Sequence, residues 1–350
     1  MCYVILLKRT SIPYQEYIKI ALKFQIKTNE EAAVSHSTDK SSIFTKPLFV
    51  FIGALICCAL WGSAYPCIKI GYKLFDISSD SAASQIIFAG FRFTLAGIMT
   101  LIAGSFINRK VLLPKANAFG SIIILAFLQT VFQYVFFYIG LAHTTGVKSS
   151  LINPLSTFFA IFISALIFKL EKLTPRKLLG CFIGFLGVVI INLSGSGFSL
   201  DMHLNGEGFL FFSAISYAFS SVCLKIFSQK NDPLVLSGSQ FIIGGLIMIA
   251  AGFGLGGGLG TITPFGIALL LYMAFISAAA YSLWGILLKY NPVSRITVFA
   301  FMNTVFGVFF SAILLGETEQ ALNIRSLIAL VLVSGGILIV NRTGGSEASR

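Results

Sequence analysis

Residues 148–192 read KSSLINPLSTFFAIFISALIFKLEKLTPRKLLGCFIGFLGVVIIN. A long apolar run opens at Lys148, passes Asn153-Pro154 and stops at Leu170-Glu171. After a short polar turn comes a second, shorter apolar run. It carries Gly180, Gly184 and Gly187 and closes on Gly187-Val-Val-Ile-Ile-Asn192. Residues 295–341 follow the same plan. Arg295 opens a run that passes Asn303 and reaches Leu315, Gly316-Glu317 ends it, and the short run that follows closes on Gly336-Ile-Leu-Ile-Val-Asn341. Earlier runs echo too: Trp61 is followed eight residues later by Lys69, and Tyr217 by Lys225.

The composition says where such runs reside. Of 350 residues, 56% are hydrophobic and 11% charged, and the mean hydropathy is +0.90. A soluble domain carries roughly 25% charged residues, and a chain of this size still has a surface to cover. The excess apolar surface must face lipid, which excludes an ordinary soluble enzyme. Helical spans of about 20 apolar residues fit the bilayer; alternating β-barrel segments of roughly 10 residues do not fit these runs. Ten spans are predicted, at 48–72, 84–106, 117–140, 147–168, 178–194, 207–227, 234–254, 265–287, 296–315 and 324–341. The predicted fold is an all-α polytopic membrane protein. Its parts are a basic tail (1–46), a first five-helix repeat (47–194), a second (207–341) and a short C-terminal tail (342–350).

Charge sets the orientation. With the N-terminal tail in the cytoplasm, nineteen Lys and Arg fall inside, and only Lys73, Lys148 and Arg325 fall outside. That bias is the positive-inside pattern, and it puts both termini in the cytoplasm of a plasma-membrane protein. Five spans per repeat is an odd number, so the second repeat must be inverted relative to the first. Inverted repeats are a common build of secondary transporters, because the halves can exchange conformations around a central site. The net charge of +12 does not signal nucleic acid, since the basic residues lie between apolar runs and form no polar, phosphate-tracking surface. The six cysteines show no metal-ligand spacing and the three histidines are scattered, so neither a metal nor another cofactor is expected.

The chain resembles the EamA-type ten-helix permeases of the drug/metabolite transporter superfamily over roughly residues 48–341. The resemblance rests on Trp61-Gly62-Ser63, on Arg92, on Asn153-Pro154 leading to Glu171, and on Gly316-Glu317 with the glycines of the last span. Leu170 stands where the family's usual Gly precedes Glu, and Ala300 stands where the first half has Pro154. The resemblance implies a secondary transporter of small organic solutes, among them amino acids, drugs and other metabolites. The alternatives are an accessory membrane subunit and a lipid-modifying enzyme, and clustered His, Asp or Glu for the latter are missing from the sequence.

Charged or polar groups within spans tend to mark pathways. Arg92, in the second span, either faces a central cavity and attracts a carboxylate or ties the bundle together through backbone carbonyls. Trp61, Ser63 and Tyr65 interrupt the first span, and Pro66 predicts a bend there. Gln129 and Gln133 share a helix face. Asn153, Tyr217, Gln240, Tyr281, Trp284 and Asn303 complete the candidate solute site. Lys69, Glu171 and Glu317 are candidates for ion or proton coupling, with snorkelling and turn-capping as the bland readings. The glycines at 252–260 read as a flexible outer loop, and the glycine-rich tenth span offers a homodimer seam.

Overall fold

The computed structural model describes residues 43–78, 80–143, 152–192, 203–315 and 324–343. The chain divides at Phe49, and Val50 onward forms the body discussed below. The regular elements among the described residues are all helical and form ten rods. The first span is α1 (Pro47–Leu74) and the second is α2 (Ala82–Asn108). The third joins α3 (Phe119–Leu125), a π-helical stretch (Ala126–Phe132) and α4 (Gln133–Ala142). The fourth is α5 (Leu155–Phe162), running into a π-helical turn (Ile163–Ile167). The fifth to eighth are α6 (Pro175–Asn192), α7 (Phe209–Phe227), α8 (Pro233–Gly254) and α9 (Pro264–Tyr290). The ninth joins α10 (Val293–Thr297) to α11 (Phe301–Leu315), and the tenth is α12 (Ile324–Thr343). Among the described residues, seven helices are long and apolar enough to cross a membrane, and the fourth and tenth spans are shorter apolar helices. The chain is an all-α polytopic membrane protein.

Local signals set the helix ends. Asp232 Oδ1 accepts the Leu234 N–H at 2.8 Å, with Pro233 in the first turn of α8. Thr263 Oγ1 accepts the Gly266 N–H at 3.0 Å, with Pro264 opening α9. Both are side-chain caps followed by the residue that needs no N–H partner. Arg109 closes α2 in the left-handed region at φ 50, where its N–H reaches Phe106 O and the Lys110 N–H reaches Ser105 O. Pro66 does not break α1, which runs unbroken through it. A π-helical stretch interrupts the third span. There the π-helical stretch shifts the carbonyl ladder, and Ser216 and Ser213 of α7 donate to Leu128 O at 2.6 Å and Gln133 O at 2.8 Å.

Contacts between loops fix the parity of the spans. At one end, the turn after the fourth span meets the connection between the eighth and ninth through Glu171 and Ser294. At the other end, the first connection meets the seventh: the Gly260 N–H donates to Phe75 O at 2.9 Å and the Thr261 N–H to Asp76 Oδ2 at 3.2 Å. Such pairing requires the rods to alternate in direction. It also corrects the expectation of a flexible loop at 252–260. The Gly258 N–H is held by Ser84 Oγ at 3.1 Å, and Gly257 packs against the Ala83 backbone so closely that a Cβ would lie 2.6 Å from it.

The two halves meet through equivalent helices. A Cβ on Gly97 of α2 would lie 2.5 Å from Gly238 O of α8, and one on Gly90 would lie 2.8 Å from Gly245 O. The relation is reciprocal: a Cβ on Gly245 would lie 2.7 Å from Gly90 O. The fifth and tenth spans repeat the arrangement, with Gly180 against Gly336 O (2.8 Å) and Gly336 against Gly180 O (2.5 Å). Second faces seventh and fifth faces tenth, as an approximate two-fold axis in the membrane plane requires. Small residues here let backbones touch where no hydrophobic drive exists between helices in lipid. Gly97→Val is therefore expected to cost about 1–3 kcal/mol by overpacking. Gly254→Ala is expected to be neutral, because nothing lies within 4 Å of its Cβ position. Thermal unfolding of the two purified variants in one detergent checks the pair.

Candidate functional site

Aromatic rings from five spans converge at the junction of the halves. Phe93 of α2 lies 4.4 Å from Tyr134 of α4 and 5.3 Å from Phe241 of α8, ring centre to ring centre. Phe241 lies 5.0 Å from Tyr281 of α9, Tyr281 lies 5.0 Å from Trp61 of α1, and Trp61 lies 5.0 Å from Trp284. The hydroxyls of Tyr134 and Tyr281 share a hydrogen bond of 2.8 Å. Tyr217 packs against this cluster from α7. Offset and edge-to-face contacts of this kind stabilise a cluster beyond simple burial.

Arg92 sits beside that cluster and is 2% exposed. Its Nε donates to Met273 O at 3.3 Å and to Ser277 Oγ at 3.0 Å, and its guanidinium carbon lies 5.2 Å from the Phe93 ring centre. No carboxylate among the described residues pairs with Arg92. Eleven buried side-chain polar atoms have no hydrogen-bond partner among the described residues, and Trp61 Nε1, Trp284 Nε1, Gln133 Oε1 and Asn303 Oδ1 are among them. Unpaired polar groups at membrane depth are costly, so these positions suit a polar solute or water.

The remaining candidates fall into smaller groups. Gln240 Nε2 donates to Gln129 Oε1 at 3.1 Å, and Thr130 Oγ1 donates to Gln240 Oε1 at 2.6 Å, a buried amide chain between the third and seventh spans. Asn153 Nδ2 donates to the Tyr65 hydroxyl at 3.2 Å. The Tyr65 ring covers Gly307 of α11, where a Cβ would lie 3.3 Å from Tyr65 Cδ2. Tyr65 is nonetheless 37% exposed, and Lys69 one turn on is exposed too. Phe51, Ile52 and Ile56 are exposed lower on the same helix. At 3.6 residues per turn, Tyr65 and Lys69 point about 140° away from Ile52 and Ile56. The exposed side of α1 thus changes midway along the helix. Ser63 points elsewhere: its Oγ donates to Leu60 O at 2.8 Å and meets the Tyr272 hydroxyl at 3.1 Å.

Lys225 Nζ donates to Leu288 O at 3.0 Å and Asn291 O at 2.6 Å, so it caps the end of α9. Glu171 lies far from the aromatic cluster, in the turn after the fourth span. Its Oε2 accepts Lys177 Nζ at 2.9 Å, and its Oε1 accepts Ser164 Oγ at 2.8 Å and the Ser294 N–H at 3.0 Å. Ser294 Oγ also donates to Oε2. Glu317 lies outside the described residues. Sequence reasoning missed Lys177, Ser164 and Ser294, as well as Ser277 and Thr130. The one signal available for Lys177 was its position six residues beyond Glu171, across a Pro-containing turn.

The EamA-like transporter family model matches residues 48–193 and again 204–342. The chain belongs to the EamA-like transporter family. This EamA-like transporter is 27% identical over 302 residues to a probable amino-acid metabolite efflux pump of Salmonella typhimurium, covering 82% of this chain and 92% of that protein. It is 26% identical over 263 residues to an uncharacterized transporter of Archaeoglobus fulgidus, covering 74% and 86%. A solved crystal structure superposes with a TM-score of 0.69 at 17% identity, covering 86% of this chain and 99% of that one, which establishes the fold alone. Membership makes this multi-pass membrane protein a secondary transporter in general character. Among the described residues no three His, Cys, Asp or Glu side chains come together as a metal site.

Proposed function

We propose that this transporter exports a small carboxylate-bearing metabolite, such as an amino acid or its derivative, across the plasma membrane by alternating access. The single observation that carries the reading is Arg92, 2% exposed at mid-bundle, with no carboxylate partner among the described residues. An uncompensated cation at that depth is expensive, and a solute carboxylate would supply the missing charge. The surrounding rings from both halves offer an apolar or aromatic lining for the rest of the solute, and the unpaired indole N–H groups of Trp61 and Trp284 add donors. The Salmonella relative's description as an efflux pump for amino-acid metabolites supports the solute class and the direction. On this reading the basic loops and both termini face the cytoplasm, and Tyr65 and Lys69 face the outer path.

The test is uptake by proteoliposomes containing the purified protein, screened against amino acids, nucleosides and organic cations, with and without a pH gradient. A carboxylate-bearing solute should show saturable flux, and Trp61→Ala should reduce it at least about tenfold through the lost ring contacts. Flux that prefers organic cations, or that is unchanged in both Trp61→Ala and Arg92→Ala, would overturn the reading.

A further inference from the structure

At the basic end, donors from three spans and one carboxylate converge on a single stretch of the second half, Leu288 to Phe299. Lys225 of α7 holds Leu288 O and Asn291 O. Thr157 Oγ1 of α5 donates to Thr297 O at 3.1 Å, and Cys58 Sγ of α1 donates to Phe299 O at 3.1 Å. From the turn after the fourth span, Glu171 receives both the N–H and the hydroxyl of Ser294.

The Glu171 contact has an unequal build. Its carboxylate and the Lys177 ammonium are 4% and 3% exposed. Lys177 Nζ also donates to Lys172 O at 2.8 Å, which fixes the turn, and Ser164 Oγ reaches back from the end of the same span. Lys177, Lys172 and Ser164 all belong to the first half. They would hold the carboxylate in place even if the second half moved away. Ser294 is the hydrogen-bonding contribution of the second half and brings two donors on one residue, while the Lys225 charge acts on the carboxylate from α7. The carboxylate is thus a preassembled socket, and Ser294 is the plug. An ionised carboxylate has about four acceptor positions, and the four donors fill them. Undocking would remove two of the four and leave the ion pair intact, with water able to take their place. A fixed structural weld would instead divide the two charges between the halves.

We infer that Glu171, held by Lys177 and Ser164, and Ser294 form the latch that closes the solute path at the basic end, docked in this conformation and undocked when the path opens to that side. The inference rests on the alternating-access reading given above. Glu171 and Ser294 are then gate residues, and Lys177 and Ser164 are positioning residues that act through Glu171.

Native Cys58 reports on the latch, because it is buried at the seam that Phe299 closes. The full-length chain is prepared with Cys58 as its sole cysteine and reconstituted. Its labelling by a membrane-impermeant methanethiosulfonate is followed from the basic side. Ser294→Ala and Glu171→Gln are each expected to raise the labelling rate roughly tenfold, since each removes hydrogen bonds to a charged group from the docked state. Ser216→Ala, which removes a donor to Leu128 O away from the latch, is expected to leave the rate unchanged. Unchanged rates in both latch variants overturn the inference. Equal acceleration in Ser216→Ala also overturns it, as general loosening. The labelling needs no transported solute, so accelerated labelling with no flux for any solute sinks the transport reading and leaves the latch standing.

Discussion

Lys177→Met lowers the stability of the folded protein by about 3–5 kcal/mol, the usual cost of leaving one partner of a buried ion pair uncompensated. The size follows from the burial. Glu171 Oε2 sits 2.9 Å from Lys177 Nζ, with both side chains almost wholly enclosed, so water has little access to replace the ammonium. The Lys172 carbonyl loses a donor at the same time. The sign of the pair's own contribution is a separate matter, because desolvating two charges can cost as much as their attraction returns. The double variant Glu171→Leu with Lys177→Met is therefore expected to recover most of the loss. Thermal unfolding in detergent, read by circular dichroism, checks both. A single variant as stable as the parent would mean that the pair is open to solvent.

Arg92→Met is expected to cut solute flux by about two orders of magnitude while membrane abundance holds. Truncating one partner of a buried, hydrogen-bonded charge pair costs about 2–5 kcal/mol. At about 1.4 kcal/mol per decade, that is roughly thirty-fold to several-thousand-fold in affinity. Abundance should hold because methionine is at home among Phe93, Met273 and the neighbouring rings, and the fold is relieved of a desolvated cation. Arg92→Lys should fall between the two. It keeps the charge but cannot hold Met273 O and Ser277 Oγ while still offering a planar fork to a carboxylate. Counter-flow with radiolabelled solute in proteoliposomes, normalised to reconstituted protein, gives the ratio. Flux of Arg92→Met within about twofold of the parent would remove the arginine from the solute site.

The architecture was legible because bilayer crossing writes itself in composition. Ten apolar runs, a one-sided distribution of Lys and Arg, and two odd-numbered halves led to the alternation that the Glu171–Ser294 and Phe75–Gly260 contacts display. Trp61, Tyr281 and Trp284 were legible as polar-edged aromatics in lipid-length runs, and they do meet. Other features left no such mark. Hydropathy does not register a change from i→i+4 to i→i+5 bonding, so the π-helical stretch of the third span looked like plain helix. Lys177 looked like one more inside charge. Its partner Glu171 is also bonded by Ser294, which is more than a hundred residues away in the chain and brought close only by the fold. Ser63 shared a motif with Trp61, but at 100° per residue it faces Tyr272 rather than the ring cluster.

The mutual glycine contacts, Gly90 with Gly245 and Gly180 with Gly336, carry a consequence for assembly. Each half presents to the other the same kind of surface that it receives, which is the geometry of an isologous pair. Recognition between the halves is therefore written into the helices and not into the peptide that joins them. Produced as two separate polypeptides divided between the fifth and sixth spans, they should find each other in the bilayer and form the complete bundle, with the covalent join serving chiefly to keep their numbers equal.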